Sequence, residues 1–105
     1  MIRSFLDLQV YREAQSLYPK VVLFSRTFPY DARYLKDQMC RSANSIQANI
    51  AEGYGRSVFE FKLYLTRAIG SCNETVSHIM DASNVKFGDP EEAQMLLEAY
   101  TAVGK

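Results

Sequence analysis

With 105 residues, the chain is long enough for one small core and too short for two, so a single domain over residues 1–105 is expected. Twelve basic and twelve acidic residues cancel, which argues against a globally basic nucleic-acid binder. No window approaches the roughly 18 apolar residues of a membrane span, and the start MIRSFLDLQV lacks the apolar run and cleavage site of a secretory signal; a soluble, cytoplasmic protein without a membrane partner is expected.

Ser4 is placed to cap a first helix running to about Thr27. Val10, Ala14, Leu17, Val21, Phe24 and Phe28 recur at alternating steps of four and three, the seam of a helical bundle. Tyr11, Tyr18 and Val22 form a flanking apolar strip, assigned to self-association together with the small-residue flank of the second helix (Ser42, Asn44, Ala48, Ala51), because a bundle this small gains from subunit contact. Pro19 removes one hydrogen bond on the side opposite the seam, so the helix is read as continuous with a kink.

Phe28-Pro29 breaks the pattern and Asp31 is the expected cap of a second helix, from about Ala32 to Gly53. Leu35, Met39, Ala43, Ile46 and Ile50 give it one apolar stripe, while Gln38, Arg41, Ser45, Asn49 and Glu52 give it an ordered polar one. The turn Gly53-Tyr54-Gly55-Arg56 has glycines suited to a left-handed cap.

Ser57 with Glu60 reads as a capping box opening a third helix. Phe61, Leu65, Ala68, Cys72, Thr75 or Val76, and Ile79 make its core stripe, with Arg67, Ser71, Glu74 and His78 beside it. Gly70 is an interior glycine that costs about 1 kcal/mol against Ala unless another helix packs closely there. Asp89-Pro90-Glu91-Glu92 starts a fourth, shortest helix whose apolar face is Ala93, Leu96, Leu97, Tyr100 and Val103. The fold expected is all-α: an antiparallel up-down-up-down four-helix bundle with a short fourth helix.

Chemistry is harder to find. His78 is the sole histidine, with Glu74 and Asp81 within one turn, too few groups for a metal site to be expected. Cys40 and Cys72 lack CxxC spacing and read as packing thiols. Neither Ser45 nor Ser71 has a convincing base or a GxSxG turn, and the glycines of GYGR lack the strand of a phosphate loop. No cofactor and no catalytic residue are expected, and the protein is read as a non-enzyme. The two polar stripes (Gln38, Arg41, Ser45, Asn49, Glu52; Arg67, Ser71, Glu74, His78) form either a hydrogen-bonded seam fixing helix register or a polar ligand groove. As a seam they would bring Arg41 toward Glu74 or His78, and Glu52 toward Arg67.

Residues 1–67 hold ten basic and six acidic residues; residues 68–105 hold two and six. Arg33, Lys36, Arg56, Lys62 and Arg67 are therefore the candidate nucleic-acid contacts, for weak, sequence-tolerant and salt-sensitive binding.

The segments FLDLQVYREAQSLYPKVV, YLKDQMCRSANSIQANIAEGYGR and FEFKLYLTRAIGSCNET resemble the four-helix-bundle family that includes proteins encoded by intervening sequences in bacterial 23S ribosomal RNA genes. Gln38, Arg41, Ser45, Asn49, Glu52, Gly53, Gly55, Arg56, Gly70, Ser71 and Glu74 match the family pattern. The resemblance implies a bundle assembling into a homopentamer, with RNA or an unidentified protein as further partner and no established reaction. It extends to the basic accessory protein of diversity-generating retroelements, from which the neutral charge of this chain departs.

Overall fold

Four α-helices make up the computed structural model, which describes residues 4–104: α1 (Gln9–Ser25), α2 (Arg33–Gly53), α3 (Val58–Asn84) and α4 (Pro90–Val103). Each helix packs against two neighbours, α1 on α2 and α4, α3 on α2 and α4, so the four stand at the corners of a square bundle. Contacts between α2 and α3 run Ser42 to Thr75, Ser45 to Ser71 and Glu52 to Tyr64, rising on one helix as they fall on the other, which makes the pair antiparallel. The connections from α1 to α2 and from α3 to α4 are short, residues 26–32 and 85–89.

The seams expected from periodicity are the core. Val21, Phe24, Met39, Ile46, Ile50, Ile79 and Tyr100 are all fully buried. Burial of these side chains, rather than helix propensity, holds the elements together.

The third and fourth helices begin as the sequence implies. Ser57 Oγ accepts from the Glu60 amide at 3.1 Å, and the Asp89 carboxylate accepts from the Glu92 amide at 3.0 Å with Pro90 in the first turn. The first and second do not. Ser4 caps a short 3-10 turn, Phe5–Asp7, and α1 starts only at Gln9 after an extended Leu8. The break has a packing reason: Phe5 lies edge-on to Tyr11 with ring centroids 5.0 Å apart, whereas six residues along one helix would put the two rings on different faces. Asp31 likewise sits inside a 3-10 turn, Tyr30–Ala32, and α2 follows from Ala32 without a side-chain cap. α1 passes through Pro19 unbroken and ends at Ser25.

The glycines divide by cause. Gly55 takes the left-handed conformation (φ 87°) that turns α2 into α3. Gly53 is still helical, and a side chain there would meet Tyr64 Cγ at 2.9 Å, so its role is close packing. α3 ends in a Schellman motif, Phe87 N–H to Ala82 O (2.8 Å) and Lys86 N–H to Ser83 O (3.0 Å), with Lys86 at positive φ (64°).

Helix lengths are unequal. The 27 residues of α3 span about 40 Å and the 14 of α4 about 21 Å at 1.5 Å per residue. α4 therefore reaches only the C-terminal half of α3, and the N-terminal half, packed on α2, has no α4 beside it.

Candidate functional site

The α2–α3 interface carries a ladder of small hydroxyls. Thr75 Oγ1 is 2.8 Å from both Ser42 Oγ and the Ser71 carbonyl, and its single proton serves one of them at a time. Ser42 in turn donates to the Met39 carbonyl at 3.0 Å. One turn along, Ser71 Oγ donates to Ser45 Oγ at 2.9 Å, and Asn49 Nδ2 donates to the same oxygen at 2.9 Å and to the Ser45 carbonyl at 2.8 Å. Small residues allow the two helices to approach closely, and each hydroxyl left in the interface is then satisfied by a neighbour.

Of the nine residues in the two polar stripes, Ser45, Asn49 and Ser71 join this ladder. Ser42 and Thr75 lie outside both polar stripes; Thr75 is buried in the core stripe where it was expected, and Ser42 is buried beside it. Gln38 and Arg41 lie instead on the outer side of α2, around a shallow hollow with Tyr18, Tyr34 and Asp37. Arg41 is exposed and does not reach Glu74. It sits about 100° round the helix from Ser42, beyond the edge of the contact with α3. Glu74 approaches His78 on its own helix, Oε2 to Nε2 at 3.6 Å, long for a hydrogen bond. Asp81 is exposed, and among the described residues no three His, Cys, Asp or Glu side chains converge.

Glu52 and Arg67 meet through a residue the polar pattern did not reveal. Tyr64 donates its hydroxyl to Glu52 Oε1 at 3.4 Å, while the guanidinium groups of Arg67 and Arg56 lie 4.8 and 5.0 Å from the centre of its ring. Arg56 is further held by the Glu52 carbonyl (2.9 Å) and by Glu60 (3.4 Å). The signal for Tyr64 was Gly53, whose missing side chain makes room for it.

The five candidate nucleic-acid contacts form two groups. Arg33, stacked 4.7 Å over the exposed Tyr30 ring, and half-buried Lys36 start α2. Arg56, Lys62 and Arg67 lie around its other end, about 30 Å away by the length of the helix. Of the strip assigned to self-association, one residue is withdrawn from the surface. Tyr11 is buried within the chain, its hydroxyl accepting from Gln15 Nε2 at 3.3 Å, and Tyr18 and Val22 are half-buried. Folding the segment before α1 back over Tyr11 is what removes it from the surface.

Exposed apolar surface lies elsewhere. On the N-terminal half of α3, Val58 (74% exposed), Phe59 (72%), Leu63 (45%) and Ile69 (49%) face solvent. Beside them, where α4 stops, an open groove of about 520 Å³ is lined by Val10, Ile50, Leu65, Ile69, Cys72 and Val103, among others.

Among the described residues two titratable groups are shifted, both by burial. Tyr100 is fully buried with no partner for its hydroxyl, and its pKa is pushed well up by burial, with Cys72 and Cys40 adding to the effect. Burial also raises the Cys72 thiol, which donates to the Tyr100 carbonyl at 3.1 Å. A buried thiol kept protonated is a packing group rather than a nucleophile.

The 23S rRNA-intervening sequence protein family model matches residues 6–105. No curated protein matches the chain.

Proposed function

The chain belongs to the 23S rRNA-intervening sequence protein family, and from that premise we propose that it works as a non-enzymatic, self-associating helical scaffold. The observation that carries this reading is the N-terminal half of α3, where Val58, Phe59, Leu63 and Ile69 leave apolar surface in water along a single helix. Apolar patches of this kind mark contact sites, and burying them against another subunit adds the core that a short α4 leaves incomplete. The hydroxyls of Ser42, Ser45, Ser71 and Thr75 support a scaffold because they are occupied with one another and with backbone, in register-fixing bonds between α2 and α3. The expected assembly is a closed homo-oligomer in the cytoplasm, of five subunits on the family resemblance. Light scattering at micromolar concentration tests it: a multimeric mass is expected, and a single mass of 12.0 kDa rejects it.

A second reading, weak RNA binding, is favoured by Arg33 lying over Tyr30, 83% exposed, with Tyr34 also in solvent nearby. An exposed ring beside a guanidinium is a platform on which an unpaired base stacks. Filter binding with structured RNA at low and physiological salt separates the readings. Binding that fades steeply with salt is expected of a few phosphate contacts; tight binding at physiological salt would make RNA the primary partner, and none at low salt would remove it.

A further inference from the structure

Gly70 has no structural reason within one copy of the chain. It lies in the interior of α3, is exposed, and a side chain built on it would meet nothing within 4 Å. Phe59, Leu63, Thr66 and Gly70 are all exposed and follow one another at steps of four, three and four, the spacing of a packing seam on the solvent side of the helix. Lys62 and Arg67 flank this seam, and residues 56–70 carry Arg56, Lys62 and Arg67 against Glu60 alone.

The outer side of α4 shows the complementary pattern. Glu91, Met95, Glu98 and Ala102 are exposed and follow the same steps of four, three and four. α4 contains three acidic residues and no basic one, and Met95 leaves 58% of its surface in solvent. Two copies meeting α3 to α3 would crowd Lys62 and Arg67 together; two meeting α4 to α4 would oppose Glu91 and Glu98. Only the crossed arrangement pairs apolar with apolar and opposite charge with opposite charge.

We propose that the outer face of α3, Phe59 to Gly70, is the docking surface for the outer face of α4 of a second copy of this chain. This rests on the self-association reading and gives it an interface. Gly70 supplies the close approach, with no side chain to hold the incoming helix away. The contact is heterologous, a different surface on each partner, so each copy uses one surface of each kind and the assembly closes as a ring.

Charge reversal tests this on the full chain, with light scattering as readout and far-UV circular dichroism as the check on folding. Lys62→Glu/Arg67→Glu alone and Glu91→Lys/Glu98→Lys alone are each expected to weaken association by about tenfold or more. The chain carrying all four changes regains the wild-type mass, because its two faces are again complementary. Gly70→Gln, which favours the helix but fills the seam, is expected to fold and to dissociate. A wild-type chain that is monomeric removes the self-association reading and this surface together. An assembled wild type whose mass survives the reversals or Gly70→Gln, or reversals that the combined chain does not rescue, removes this surface alone.

Discussion

The two ends of the bundle solve opposite problems. At the end where α1 turns into α2 and α3 into α4, aromatic rings close the core: Phe24 and Phe28 meet edge-on at 5.4 Å, and Phe87 packs on Phe28 at 5.7 Å. Gly88 completes the seal, since a side chain there would run into the Phe24 ring. At the other end α4 stops short beside the open groove, and Val58 and Phe59 in the first turn of α3 are exposed. One end is finished by the chain itself; the other has apolar surface to offer. An apolar side chain thus contributes to folding at one end and remains available for contact at the other.

The largest test of this difference is a pair of truncations. Phe24→Ala removes a buried ring from the closed end and is expected to cost about 3–5 kcal/mol of unfolding free energy. Phe59→Ala removes a ring of the same size from the open end and is expected to change the stability of a single copy by within about 0.5 kcal/mol. Urea denaturation at concentrations dilute enough to keep subunits apart measures both. Equal losses would mean that Phe59 is packed within the chain.

Alkaline pH tests the middle of the bundle, where α4 still covers the core. Tyr100 and Cys72 must stay protonated when buried, so both have pKa values above their ordinary 10.0 and 9.0. The folded chain then holds protons that the unfolded chain releases, and stability present below about pH 9 falls as pH rises through the ordinary values toward the raised ones. Each proton so retained costs about 1.4 kcal/mol per pH unit. Tyr100→Phe is expected to reduce the slope of melting temperature against pH above 10. At neutral pH it is expected to be neutral or stabilising, because the lost hydroxyl has no partner. An unchanged alkaline slope would exclude Tyr100 as its source.

A smaller effect is expected at the hydroxyl ladder. Thr75→Val keeps the shape of a fully buried side chain and removes its bonds to Ser42 and the Ser71 carbonyl. Ser42 retains its bond to the Met39 carbonyl, so no donor is stranded and the expected loss is about 1 kcal/mol. A loss several times larger, read from the same urea series, would show that the ladder acts as a unit.

Periodicity made most of this fold legible. The buried stripes of all four helices, and the starts of α3 and α4, follow from spacing and cap residues that act within one turn. The misread features depend on tertiary contact. Ser4 and Asp31 are good caps locally, but Phe5 packing on Tyr11 and the 3-10 turn into α2 decide where those helices begin. The polar stripes were visible as stripes, yet sequence gave no angle between helices. The seam therefore fell one residue away from Arg41, on Ser42, and Glu52 met Tyr64 before Arg67. The apolar outer face of α3 was hidden for a different reason: Phe59 and Leu63 lie opposite the stripe Phe61, Leu65, Ala68 and Cys72, and an apolar residue on the solvent side adds no periodic signal of its own.

The smallest expected effect returns to the closed end. The Schellman motif that ends α3 places Lys86 at positive φ, a conformation that a side chain resists and glycine does not. The motif is held because Phe87 must swing onto Phe28 while its amide reaches the Ala82 carbonyl. Lys86 is exposed, so replacing it removes no buried contact. Lys86→Gly relieves the strain but gives the unfolded chain more freedom, and these two effects oppose each other. Relief of left-handed strain is about 1–2 kcal/mol, against about 0.5–1 for the added freedom. A net gain of about 0.5–1 kcal/mol is expected, seen as a rise in urea midpoint with no change in slope. A fall in midpoint would show that the lysine side chain contributes a stabilising contact at the turn, and that the closed end depends on more than its rings.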